Sequence, residues 1–276
     1  RPLGRLLIDH AATPLLPQFH RDFPSMPAQQ LNFTSDEYAA RLAKVRMAMA
    51  DRGIDTLLVI DPSSMNWLTG YDGWSFYTHQ CVIVPPEGDP LWFGRQMDAA
   101  GAVRTVYIPD EAVLSYADHY VQSADRHPME RLAEILQERG LDTGSIGFEM
   151  DNYYANAAAL KTLRTSLPSA NLIDATLLVN WQRAVKSPAE LDFMRIAGRI
   201  VTKIHERILE IAEPGMPKNL VAAEIFRTGL NGVDEFGGDY AAVVPLMASG
   251  RDASAPHLTW DETPLRRDEG TFFEAA

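Results

Sequence analysis

Cysteine is almost absent: Cys81 is the single thiol in 276 residues. One thiol cannot close an internal disulfide, and such a chain suits a reducing compartment, so a cytoplasmic location is expected. Cys81 lies in the apolar run Gln80-Cys81-Val82-Ile83-Val84 and reads as a small buried hydrophobe, not a nucleophile. Long hydrophobic runs are missing as well. No stretch approaches the roughly 18 uninterrupted apolar residues of a membrane-spanning helix. Positive charge is scarce: 25 Lys and Arg against 37 Asp and Glu leave a formal net charge of −12. That balance argues against nucleic acid or an anionic membrane as partner. There is no phosphate-binding glycine loop, since Gly237-Gly238 has the wrong spacing. Ser249 and Ser254 lack the setting of a nucleophile elbow.

What is present suffices for a large core, with 46% hydrophobic residues. Residues 1–30 are rich in proline and aperiodic, and form an unassigned extension. Thr34 and Glu37 have capping-box spacing, and Tyr38, Leu42, Val45 and Met49 follow as a helical stripe. Thr56–Ile60 reads as a buried strand ending at Asp61-Pro62. Further strands are expected over 81–84, 90–93, 105–108 and 145–148, and helices over 129–139 and 154–166, with Leu172-Ile173-Asp174 leading to a boundary. Alternating strand and helix imply an α/β domain, here 31–183. A second unit, 184–276, opens at Ser187-Pro188-Ala189-Glu190, with Ser as cap, Pro at the first position and Glu as box partner. Phe193, Ala197, Val201, Ile204, Ile208 and Ile211 extend that helix, and a second one covers about 219–228.

The chemistry is expected from Gly237 to Trp260, GGDYAAVVPLMASGRDASAPHLTW, and from the final GTFFEAA. The stretch reads as two short apolar strands joined by a polar turn, the first Tyr240–Leu246 and the second carrying Ala255-Pro256-His257-Leu258. A histidine titrates near neutrality and can move protons. On spacing alone, a lone histidine in a strand is more often a hydrogen-bonded structural residue. Glu274 stands in the apolar strand Thr271–Ala275, where a carboxylate is costly without a partner or a task.

These stretches, with NWLTGYDGWSFYTHQCV at 66–82, EMDNYY at 149–154 and NWQRAVKSPAEL at 180–191, resemble the ectoine hydrolases of the creatinase/prolidase-like superfamily. The resemblance covers roughly residues 31–276. It implies an N-terminal creatinase-type α/β domain followed by the first part of a pita-bread α+β catalytic domain, homodimeric when whole. The implied reaction is ring opening of the cyclic amidine ectoine, with hydroxyectoine undecided, to N-acetyl-2,4-diaminobutyrate. His257 matches the catalytic histidine of creatinases and takes the acid/base role. Glu274 stands where metal-dependent relatives place a bridging Asp, so it supports the amidine carbon and no metal or other cofactor is expected. Asp239 and Asp252 fit no metal spacing. Asp239 and Tyr240 join Trp74, Phe76 and Tyr77 as substrate-binding residues, the aromatics facing a cationic amidinium. Phe76 aligns with an aromatic that creatinase-like dimers send into the partner's site. Thr78 replaces the arginine that holds creatine, which argues against that substrate. The alternatives are a metal-dependent Xaa-Pro aminopeptidase or creatinase-like hydrolase, and an inactive binding homologue.

Overall fold

The computed structural model describes residues 31–276, so the extension over 1–30 lies outside the described residues. Thr34 caps α1 (Ser35–Asp51), its hydroxyl accepting from Glu37 N–H at 3.3 Å. Only half of the expected box forms, because the Glu37 carboxylate turns to Arg41 instead. The stripe Tyr38, Leu42, Val45 and Met49 is buried as its spacing predicts. Gly53 then supplies a left-handed turn, φ +63°, into β1 (Thr56–Val59).

Asp61-Pro62 ends that strand and also starts a helix. Asp61 caps α2 (Pro62–Thr69) through Ser64 N–H at 2.8 Å, and Pro62 fills the first position, where no N–H is needed. The chain continues through β2 (Cys81–Val84), β3 (Leu91–Arg95), α3 (Gln96–Thr105) and β4 (Val113–Tyr116). The strand expected at 105–108 is therefore a helix end and a loop. Val106 and Ile108 are apolar because they are buried, and a run that short carries no period to separate strand from loop. Next come α4 (Pro128–Glu138), β5 (Gly144–Phe148), α5 (Ala157–Ser166), β6 (Ala170–Asp174) and α6 (Leu178–Ala184). Leu172–Asp174 is thus the end of a strand.

The six strands form one sheet in the order β4-β3-β2-β1-β5-β6. The β1/β2 and β2/β3 pairs are antiparallel, and the β3/β4, β1/β5 and β5/β6 pairs are parallel. β1 and β2 are buried at every residue, as strands covered on both faces must be.

A separate core begins with α7 (Pro188–Ile211), whose capping box is complete: Ser187 Oγ accepts from Glu190 N, and Glu190 Oε2 accepts from Ser187 N at 2.7 Å. Ile204 and Ile208 of α7 pack on Val221, Ala222 and Ile225 of α8 (Lys218–Asn231), with Met247, Leu265 and Ala275 closing the cluster. β7 (Leu246–Ser249) and β8 (Thr271–Glu274) pair antiparallel beside it, Leu246 opposite Glu274. The strand expected at 240–246 is irregular up to Pro245 and begins only at Leu246. Proline has no N–H for a ladder, and it marks that edge.

One contact set ties the two cores. Arg41, only 2% exposed, donates Nη1 to Trp67 O at 3.0 Å, and its Nη2 lies 3.0 Å from Glu190 Oε1 as an ion pair. The same Glu190 oxygen accepts the Trp67 indole N–H at 2.5 Å. The rings of Phe33, Tyr38 and Trp67 surround the guanidinium at 3.9 to 5.4 Å.

Candidate active site

β7 organises the catalytic candidates. Its Gly250 end donates to Gly270 O on the β8 side, whereas Met247 N–H donates to Leu258 O at 3.1 Å. N–H groups alternate in direction along a strand, so Leu258 docks on the edge of β7 opposite β8. Leu258, which follows His257, and β8, which carries Glu274, therefore lie on opposite edges of the same strand. His257 is not in a strand: it sits in a turn after the short helix Gly250–Ser254, at φ +69°, a left-handed conformation that histidine tolerates better than most residues. Its side chain and that of Glu274 are exposed, while Phe273 and Ala275 carry the inward face of β8.

The aromatic loop is built on glycines. Gly70 ends α2 at φ +82°, and a Cβ there would lie 2.9 Å from both Thr105 O and Tyr38 Oη. At Gly73 a Cβ would lie 2.3 Å from Tyr71 Oη. Beneath the loop, Tyr71 Oη shares a hydrogen bond with Ser75 Oγ at 2.8 Å and donates to Gln80 Oε1 at 3.0 Å. The loop thus lies flat on a buried polar floor and presents Trp74 and Tyr77, 64% and 66% exposed. Phe76 bridges Trp74, at 5.0 Å between ring centroids, and Tyr154, at 5.5 Å.

The binding candidates converge. Tyr240 comes from the second unit and lines one cleft of about 450 Å³ with Asp72 and Phe76. Burial, and then the Asp239 carboxylate, push the Asp72 carboxyl up. Burial, then Asp72 and Asp239, push the Tyr240 hydroxyl up. The structure thus gathers Trp74, Phe76, Tyr77, Asp239 and Tyr240 around one seam. Among the described residues, no hydrogen bond or ring contact joins them to His257 or Glu274.

Sequence reasoning missed Asp72 and Tyr154, although both lie inside the quoted stretches GYDGW and EMDNYY. It also missed Glu149 in the second of these. Glu149 is 2% exposed, and its Oε2 accepts from Ile60 N at 2.5 Å and Asp61 N at 2.8 Å. Burial outweighs those amides and pushes the carboxyl up to about 7. Among the described residues its Oε1 has no partner. His79 and His127 prove structural: their rings pack at 4.6 Å, His127 Nδ1 accepts from Met129 N at the start of α4, and burial holds His79 down at about 4.

Among the described residues, no group of three or more His, Cys, Asp or Glu side chains is placed to hold an ion. The described residues by themselves do not supply the donor set of a dinuclear centre.

Residues 41–185 match the Creatinase/Prolidase N-terminal domain, and residues 192–275 match Metallopeptidase family M24. An ectoine hydrolase of Halomonas elongata is 56% identical over 252 residues, 89% of this chain and 63% of that protein. A protein of Sinorhizobium fredii described as an uncharacterized hydrolase/peptidase is 40% identical, over 82% of this chain and 58% of its own length. The chain thus spans less than two thirds of these relatives. Among solved structures, a prolidase from Thermococcus sibiricus superposes with a TM-score of 0.71 at 18% identity, over 88% of this chain and 62% of that one. A Pyrococcus horikoshii dipeptidase gives 0.64 at 22%, over 85% and 60%. At such identities these structures establish a shared fold, an α/β domain with a mixed sheet followed by a pita-bread segment. With half of its length matching that N-terminal domain and residues 192–275 matching the metallopeptidase family, the chain belongs to the creatinase/prolidase family.

Proposed function

We propose that the whole protein hydrolyses ectoine to N-acetyl-2,4-diaminobutyrate, as a cytoplasmic homodimer, with 31–183 as its N-terminal domain and 184–276 as the first part of its catalytic domain. The 56% identity to an ectoine hydrolase carries this reading. In the reaction, water adds to the amidine carbon while His257 accepts its proton. The C–N bond then breaks, and His257 returns the proton to the departing ring nitrogen. Glu274 supports the cationic amidine carbon, electrostatically or as a nucleophile. Trp74, Phe76 and Tyr77 supply aromatic faces to the amidinium, and Asp239 and Tyr240 its polar contacts. The exposure of Trp74 and Tyr77 supports their reaching a second copy of the chain.

The metallopeptidase match favours a second reading, a metal-dependent Xaa-Pro peptidase. Ring opening followed by NMR in the full-length protein separates the two. Turnover without added metal, abolished in a folded His257→Ala variant, is expected. Near-normal turnover in that variant would remove the histidine from the mechanism. Activity lost to chelation and restored by metal would favour the peptidase.

A further inference from the structure

The cleft that holds Phe76 and Tyr240 is lined by side chains of both charges. Arg183 and Asp72 both line it, yet among the described residues no ion pair joins them. Arg41 lines it too, but its charge is met by Glu37 and Glu190. Among the described residues the hydrogen bonds of Arg183 run through Nη1, to Ser64 Oγ at 3.0 Å and Asp61 Oδ1 at 3.5 Å, and its charge also acts on the buried Glu149. Asp61 is itself engaged as the cap of α2. Nε and Nη2 of Arg183 thus retain donors for an incoming anion. Asp72 lies close enough to Asp239 to feel its charge and shares the lining with the rings of Phe76 and Tyr240. A carboxylate beside aromatic faces favours a cationic nitrogen.

We propose that this cleft binds a small zwitterion, its carboxylate on Arg183 and its cationic nitrogen between Asp72 and the rings of Phe76 and Tyr240. The volume suits a ligand of this size, and opposite charges in the lining fix one orientation. This rests on the reading of Phe76 and Tyr240 as substrate-binding residues. It adds Asp72 and Arg183 as specificity-determining residues that nothing in the spacing indicates. A neutral analogue, or one carrying a single charge, leaves a lining charge unpaired and binds more weakly.

The test is calorimetric titration of full-length protein carrying His257→Ala, so that binding is read without turnover. Ectoine, glycine betaine, acetate and tetramethylammonium are the probes. Asp72→Asn and Arg183→Gln are each expected to weaken ectoine and glycine betaine at least tenfold. Should Arg183→Gln disturb α2, Asp72→Lys stands in its place: it should abolish tetramethylammonium binding and strengthen acetate. Ectoine binding unchanged in Asp72→Asn and Arg183→Gln, or in Asp72→Lys, would overturn the cleft assignment and leave the reaction untouched. If ectoine is neither bound nor opened, the proposed activity fails and glycine betaine alone decides. Binding that needs both residues upholds the cleft, and no binding overturns it.

Discussion

Glu149 shows how one side chain sets a pH dependence. Its carboxyl titrates at about 7 in the fold, against an ordinary 4.5. Between those values the folded chain holds the proton more tightly than the unfolded chain does. The associated stability is complete below about 4.5 and is lost as pH rises through about 7, amounting to roughly 3 kcal/mol. His79 works in the opposite sense. Held at about 4 by burial, it stays neutral in the fold and costs stability as pH falls below 6.5. The two overlap, so wild-type stability against pH isolates neither. Glu149→Gln does: it keeps an acceptor for the Ile60 and Asp61 amides but cannot titrate. The urea midpoint at pH 5 minus that at pH 8 should be lower in Glu149→Gln than in wild type, turning negative as His79 then acts unopposed, and an unchanged value would clear Glu149 of the effect. The residue was quoted in the sequence only as part of a motif. Nothing local marks an acid as buried when strands distant in sequence do the burying.

Periodic elements were legible and short ones were not. The stripe of α1 and the complete capping box of α7 announce themselves, since each repeats a pattern over several turns or satisfies two amides at once. β7 did not. Its apolar approach from Ala241 to Pro245 reads as strand, yet it remains irregular and leaves four residues to pair with β8. The same ambiguity placed His257 on a strand when it occupies a left-handed turn. The placement was half legible in consequence: the aromatic loop and Tyr240 stand out in the sequence, but the cleft they share depends on a contact between the two units. The loop itself makes a sharp prediction. Gly73→Ala drives a Cβ into the Tyr71 hydroxyl and disturbs its bonds to Ser75 and Gln80. A loss of about 1–3 kcal/mol is expected for such overpacking. Thermal unfolding should register it as a drop of several degrees; an unchanged midpoint would mean that the floor yields.

At the scale of the molecule, two cores are held by few groups. Glu190 receives the Ser187 amide, the Trp67 indole and the Arg41 guanidinium together. Glu190→Ala leaves Arg41 buried with only Glu37 as counter-charge. Removing one partner of a buried pair costs about 3–5 kcal/mol at most sites, and Glu37 should moderate the loss here. The expected signature is a calorimetric trace that splits, with the smaller core melting first. A single transition at the wild-type temperature would show that other contacts carry the coupling.

A carboxylate with three clients also constrains how the family can drift. Replacing Glu190 alone strands an indole, an arginine and a helix start, so no single step away from it is neutral. Positions 41, 67, 187 and 190 are therefore expected to change as a block, or not at all, along the lineages that share this junction.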